Sequence, residues 1–168
     1  MAIESHVERT WIGLGANLGD PVAQIRSALR DLDAIAQTRL VRASSLYRSA
    51  PWGGVEQPPF VNAVAELETR LSPRELLDAL LAIEQRHGRI RDGSRWGPRT
   101  LDLDLLVHGN QRIDIDGLTL PHPHLAERAF VLVPLAEIAP DLRVPGIGRV
   151  ADLLARIDAA QCERLPSA

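Results

Sequence analysis

Phe60-Val61-Asn62-Ala63-Val64-Ala65-Glu66-Leu67-Glu68-Thr69 is the stretch on which the fold turns. Its side chains divide by parity. Val61, Ala63, Ala65 and Leu67 point one way, while Phe60, Asn62, Val64, Glu66 and Glu68 point the other. That two-residue period belongs to a strand. Just beyond it, Ser72-Pro73-Arg74-Glu75 forms a capping box with proline in the first turn. It opens a helix to about His87, with Gly88 placed to end it. Alternation then returns from Thr100 to Val107, with Leu101, Leu103, Leu105 and Val107 on the core side.

The same unit is found upstream. Thr10 to Leu14 reads as a strand that runs into a loop, Gly13-Leu14-Gly15-Ala16-Asn17-Leu18-Gly19. Asp20 and Pro21 then start a helix over about 21–36, with Val22, Ile25, Leu29, Leu32 and Ala36 at helical spacing. Leu40 to Tyr47 reads as a strand, and Ser49 to Pro59, with three prolines and two glycines, as a long loop. Downstream, Gly109-Asn110 can turn the chain into a hairpin ending at Gln111 to Ile115. A helix is expected around Ala129 to Ile138 and a last one over about 149–158.

The order β-α-β-β-α-β is the ferredoxin-like pattern. The fold class is therefore α+β, an antiparallel sheet with helices packed on one face and the other face open for a site. One domain spans 1–168, with a core over about 9–158 and loose N- and C-terminal tails. The 168 residues are 45% hydrophobic and 24% charged, the proportions of an ordinary globular protein. Nineteen basic residues against 22 acidic ones give a net charge of −3, so no surface for a polyanion is advertised. Every basic residue is arginine. That excludes a phosphate-binding lysine and a Schiff base, and leaves anions to guanidinium groups, amides, histidines or metal. The single Cys162 excludes an intramolecular disulfide and a cysteine-rich zinc site. No signal-peptide core or membrane-length apolar run is present, so a soluble, cytoplasmic protein is expected.

The chemistry concentrates in Arg99-Thr100-Leu101-Asp102-Leu103-Asp104-Leu105. Asp102 and Asp104, two apart on a strand, share a face. This is either the polar side of an edge strand or a pair of hard ligands for a magnesium–phosphate complex. Arg86, Arg89, Arg91, Arg95 and Arg99 precede it, interleaved with Gly88, Gly93 and Gly97. Guanidinium forks match phosphate oxygens, and Trp96 among them is costly to leave in water, so the segment suits a nucleotide polyphosphate. Glu84 falls on the core side of its helix and needs a donor there, an arginine or a nucleotide's base or ribose. Phe60 beside Asn62 can stack on and hydrogen-bond a flat heterocycle, or simply fill the core. His122 and His124 lack a third ligand for zinc. His122 suits a phosphate donor and His124 an incidental surface position. The glycines at 13, 15 and 19 miss the dinucleotide fingerprint by one residue and are set aside.

Glu84, Gly88-Arg89-Ile90-Arg91 and Arg95-Trp96-Gly97-Pro98-Arg99-Thr100-Leu101-Asp102-Leu103-Asp104 together resemble the signature of the hydroxymethyldihydropterin pyrophosphokinases. Gly13 to Asp20, Pro121-His122-Pro123 and Glu127-Arg128-Ala129-Phe130 extend the resemblance over nearly the whole chain. It implies transfer of the β,γ-diphosphate of ATP to a pterin hydroxymethyl group, leaving AMP, in folate biosynthesis. It further implies two Mg²⁺ on Asp102 and Asp104, and catalytic roles for Arg89, Arg99 and Asp104. ATP would meet Glu84, Arg91, Trp96, Arg99, Leu105, His122 and Arg128. The pterin would meet Ser49, Ala50, Trp52, Phe60, Asn62, Trp96 and Phe130. Leu81 stands where many members carry glutamine, Phe60 where tyrosine is common, and His124 where arginine or tyrosine is. A monomer with small-molecule substrates, and with neither nucleic acid nor membrane as partner, is expected. The alternatives are a non-catalytic ferredoxin-like module for a small ligand or RNA, and a metal-dependent nucleotidyltransferase.

Overall fold

Strand β4 (Phe60–Thr69) organises the sheet, with the bounds that its alternation predicts. The computed structural model describes residues 6–49, 58–88 and 101–166. Strand β1 (Glu8–Ala16) lies antiparallel along the whole of β4, from Glu8 opposite Thr69 to Ala16 opposite Val61. Strands β2 (Thr38–Ala43) and β3 (Tyr47–Ser49) share the other side of β4, and β5 (Asp102–His108) pairs with the free side of β1. All of these pairings are antiparallel, and the order β3-β4-β1-β5 is that of the ferredoxin-like unit.

Local sequence explains the helices. In α1 (Pro21–Asp33) Asp20 accepts the Ala23 N–H at 3.1 Å, and Pro21 supplies a first-turn residue with no N–H to satisfy. The capping box of α2 (Pro73–Arg86) is complete: Ser72 Oγ accepts from Glu75 N–H and Glu75 accepts from Ser72 N–H. Gly88, at φ 84°, takes the left-handed turn that ends it. Helix α3 (Ala129–Ile138) has the predicted bounds, whereas α1 stops at Asp33 and α4 (Val150–Leu154) is a shorter piece of the predicted last helix.

Two apolar layers enclose the sheet. Ile12, Leu14, Ala63, Ala65, Leu67, Leu103 and Leu105 pack against Ile25 and Leu32 of α1 and Leu76, Leu80 and Ile83 of α2. On the opposite face Trp11, Val64, Leu106 and Val107 pack against Val131, Leu132 and Leu135 of α3 and Val150 and Leu153 of α4. The face left open by α1 and α2 is thus partly roofed by α3.

Five expectations are corrected. Gly13 and Gly15 belong to β1, not to a loop. Leu40 to Tyr47 is not one strand, because β2 ends at Ala43 and β3 begins at Tyr47. Val107 joins the α3 side, because Trp11 pairs with Val107 while Ile12 pairs with Leu105; Leu106 is the extra residue of a bulge that reverses the alternation. The Gly109-Asn110 turn does not make a hairpin with β5. Strand β6 (Ile113–Ile115) pairs instead with β7 (Leu118–Leu120) around Asp116 and Gly117. The two-residue pair β8 (Arg143–Val144) and β9 (Gly148–Arg149) precedes α4, and the tail read as loose adds strand β10 (Glu163–Arg164) to β3. No described helix is long and apolar enough to cross a membrane.

Candidate active site

Register across three strands brings the predicted groups into line. Gly15 of β1 stands opposite Asn62 of β4 on one side and Asp102 of β5 on the other. One step along, Gly13 stands opposite Val64 and Asp104. Residues directly opposite share a face, so Asn62, Asp102 and Asp104 all project to the α3 side, while Leu103 and Leu105 are buried on the other. The central strand contributes no side chain at Gly15. A Cβ there would come within 3.1 Å of Asn62 Nδ2. Over Gly13 the gap is filled by Leu106, whose Cδ atoms would meet a Cβ at 3.5 and 3.6 Å.

At the β4 side of this floor the Asn62 amide is held before any ligand arrives. Asn62 is buried, and Ser49 Oγ donates to its Oδ1 at 2.6 Å. Phe60 shares the parity of Asn62 and lies opposite Ser49. From the roof, α3 supplies the partly buried Phe130, with the Arg128 guanidinium 5.5 Å above its ring. Asn17, buried at the end of β1, donates from Nδ2 to the Pro58 carbonyl at 3.0 Å and ties the approach to β4 to this corner.

At the β5 side Glu84 is the support. Its side chain is buried and its Oε2 accepts the Leu103 N–H at 2.8 Å, between the two aspartates. One donor to it is thus the main chain of an edge strand, whose outward N–H groups need partners. Leu105 has the same parity as Leu103, so its main chain, and not its core-bound side chain, faces that edge. His87, at the end of α2, is tied to α1 by Gln24 Oε1 and Asp31 Oδ2, each at 2.7 Å, just before the arginine-rich segment.

His122 approaches from the stretch after β7. Its N–H donates to the Leu106 carbonyl at 2.9 Å, and its Nδ1 accepts the His124 N–H at 3.1 Å. The proton of the neutral ring is therefore on Nε2. Burial, then the charges of Arg128 and His124, push the ring down to about 4 despite the opposing pull of Asp102. His122 thus serves as a neutral donor at pH 7. Its folded-state pKa lies below the free value, so the neutral ring's contribution to stability is full above about 6.5 and is lost as pH falls towards 4. In the ligand-free protein its ring resonances should stay unshifted from pH 7.5 to about 5.5; a midpoint near 6.5 would contradict this burial. His124, half exposed and bonded to Glu127 Oε2 at 3.1 Å, remains a surface residue.

Comparison with known proteins shows the family. The family described as 7,8-dihydro-6-hydroxymethylpterin-pyrophosphokinase matches residues 11–140. A 2-amino-4-hydroxy-6-hydroxymethyldihydropteridine pyrophosphokinase of Pseudomonas aeruginosa is 51% identical over 162 residues, covering 96% of this chain and 99% of its own. One of Haemophilus influenzae is 49% identical over 144 residues, covering 86% and 89%. The chain belongs to this pyrophosphokinase family. It is accordingly an enzyme, a pyrophosphokinase of folate biosynthesis, and the non-catalytic module is not favoured. A solved Plasmodium falciparum HPPK-DHPS shares the fold, with a TM-score of 0.74 over 96% of this chain at 13% identity; the chain spans about half, 49%, of that structure's length.

Of the residues that the resemblance assigns to this pyrophosphokinase's substrates, Ala50, Trp52, Arg89, Arg91, Trp96 and Arg99 lie outside the described residues. Ser49, Phe60, Asn62, Asp102, Asp104, His122, Arg128 and Phe130 gather on the α3 side of the sheet, and Glu84 supports them from beneath. The sequence reading missed Gly15 as a part of the site. The signal was there: a glycine at an otherwise apolar strand position marks close approach of something else. In Gly15→Ala the Asn62 amide must give way, so pterin affinity should fall about tenfold with nucleotide affinity unchanged, by calorimetry.

Proposed function

We propose that this pyrophosphokinase binds 6-hydroxymethyl-7,8-dihydropterin between Phe60 and Phe130 and places its hydroxymethyl group towards Asp102 and Asp104. The row Asn62–Gly15–Asp102 carries this reading. Two strand spacings, about 9.6 Å, separate the amide from the carboxylates, which leaves room over Gly15 for a bicyclic ring and its substituent. Asn62 reads the polar edge of the ring, its amide oriented by Ser49, with Ala50 and Trp52 contributing from the adjoining segment.

ATP lies along β5. The Leu105 main chain and the Glu84-supported edge take the nucleoside side, while Arg91, Trp96, Arg128 and the Nε2–H of His122 hold phosphate oxygens. The pterin hydroxyl oxygen attacks the β-phosphorus in line as the bond to the α–β bridging oxygen breaks, and AMP leaves. Asp104 or solvent takes the hydroxyl proton. Arg89 and Arg99 neutralise the charge that moves onto the leaving phosphate.

The carboxylates suit magnesium. They are hard oxygen donors on one face, a set that would hold Mg²⁺ together with substrate phosphate oxygens, as that ion prefers. Two Mg²⁺ bound there supply charge neutralisation and a lower pKa for the attacking hydroxyl. Incubation with Mg-ATP and the pterin should yield AMP and the pterin diphosphate, resolved by chromatography. Release of free pyrophosphate would instead mark a nucleotidyltransferase.

A further inference from the structure

Outside the floor and its edge, the densest polar contact on the α3 side belongs to Glu137, near the end of α3. Its Oε1 accepts the Tyr47 hydroxyl at 2.6 Å. Its two oxygens share the Ser45 N–H at 3.0 and 3.1 Å, and Oε2 also accepts the Ser45 hydroxyl at 2.9 Å. Arg164 of β10 stands 3.9 Å away. These donors come from the break between β2 and β3. The break is itself fixed to β4, because Ser44 N–H donates to the Val64 carbonyl at 2.8 Å and Ser44 Oγ accepts the Val64 N–H at 2.9 Å.

We propose that Glu137 is a positioning residue for the pterin pocket: it bolts α3, and with it Phe130, to the strand that carries Ser49. This rests on the pocket reading given above. Phe130 and Glu137 are seven residues apart, two helical turns, and so lie on one face of α3. Pro134 stands between them, and with no N–H it cannot close a rung to the Phe130 carbonyl. The helix is nonetheless continuous from Ala129 to Ile138, and Val131, Leu132 and Leu135 pack together against the sheet, so a tie at Glu137 is carried to Phe130. On the other side, Tyr47 lies opposite Asn62 and Ser49 opposite Phe60. The Glu137 carboxylate thus adds a directional tie to the apolar packing of α3 and helps set the spacing between Phe130 above and Phe60, Asn62 and Ser49 below. Burial pushes the Glu137 carboxyl up, but the bonds from Tyr47 and Ser45 outweigh it and hold it below the usual range. Tyr47 is pushed up to about 12 by burial and by its bond to Glu137, so the donor stays protonated.

The test compares Glu137→Ala, Glu137→Gln, Tyr47→Phe and, as a control on the pocket, Phe130→Ala. Calorimetry measures the affinity of each for the pterin with a nonhydrolysable Mg-ATP analogue present, and for the analogue alone. Glu137→Ala should weaken pterin binding about tenfold and analogue binding less than twofold, while Glu137→Gln, which keeps an acceptor oxygen, recovers most of the loss. Tyr47→Phe, which removes one bond, should weaken pterin binding about threefold and serves where Glu137→Ala does not fold. Unchanged pterin affinity in Glu137→Ala or Tyr47→Phe, with a loss in Phe130→Ala, overturns the positioning role and leaves the pocket standing. Equal weakening of both ligands also overturns it, since that is general loosening. Unchanged affinity in Phe130→Ala overturns the pocket itself.

Discussion

Asp104→Ala, and equally Asp102→Ala, lowers turnover by about 10³-fold or more while the thermal transition stays within a few degrees of the parent protein's. The rate loss follows from what the two carboxylates face. They lie on the α3 side of an edge strand, opposite glycines, with Asn62 across the floor. A group that holds the phosphate-bound cations contributes several kcal/mol to the transition state, and each 1.36 kcal/mol is tenfold in rate. Stability follows from what they do not face. The core side of β5 is Leu103 and Leu105, which the substitutions leave in place. Stopped-flow turnover together with a melting curve checks both halves. Near-normal turnover in either variant removes the two-cation assignment.

Asn62→Ala has the second largest effect, a loss of about 10²-fold in pterin affinity, on the order of 2–3 kcal/mol. The side chain is buried and its oxygen is already engaged by Ser49, so its orientation is fixed in the free protein and no ordering cost falls on binding. In the proposed binding mode, removing it would leave the donor and acceptor of the pterin edge buried without a partner. Nucleotide affinity should not change, because Asn62 stands two strands from β5. Calorimetry that finds nucleotide weakened and pterin intact would reassign the pocket.

The parts of the fold that can be read from sequence are those fixed by neighbours along the chain. Strand β4 alternates throughout, α2 carries its own capping box, and α3 is a run of apolar residues; all three have the predicted identity. What escapes the sequence is decided across strands. The bulge at Leu106 moves Val107 to the other face, although Leu105-Leu106-Val107 is equally apolar in either register. The hairpin was assigned to Gly109-Asn110, whereas Asp116 and Gly117, with Gly117 at φ 79°, form the turn that brings β6 and β7 together. Both turn signals are present, and only the partner strand chooses between them.

The site divides in the same way. Asp102 with Asp104, and Phe60 with Asn62, are each two apart on one strand, and parity alone puts each pair on a common face. That the pairs face each other over Gly15 depends on the β4-β1-β5 order and register, which no local pattern states. Glu84 needs a donor, but that the Leu103 main chain is one reflects the place of β5 at the end of the described sheet. Glu137 had only its seven-residue spacing from Phe130 to recommend it, since its partners Ser45 and Tyr47 are some 90 residues away in sequence.

The most direct measurement is equilibrium dialysis of Mn²⁺ against the full chain with a nonhydrolysable ATP analogue. Two ions per chain should bind to the parent protein, and uptake should be lost in Asp102→Ala and Asp104→Ala. No uptake in the parent protein, or full uptake in the two variants, would contradict the two-cation assignment.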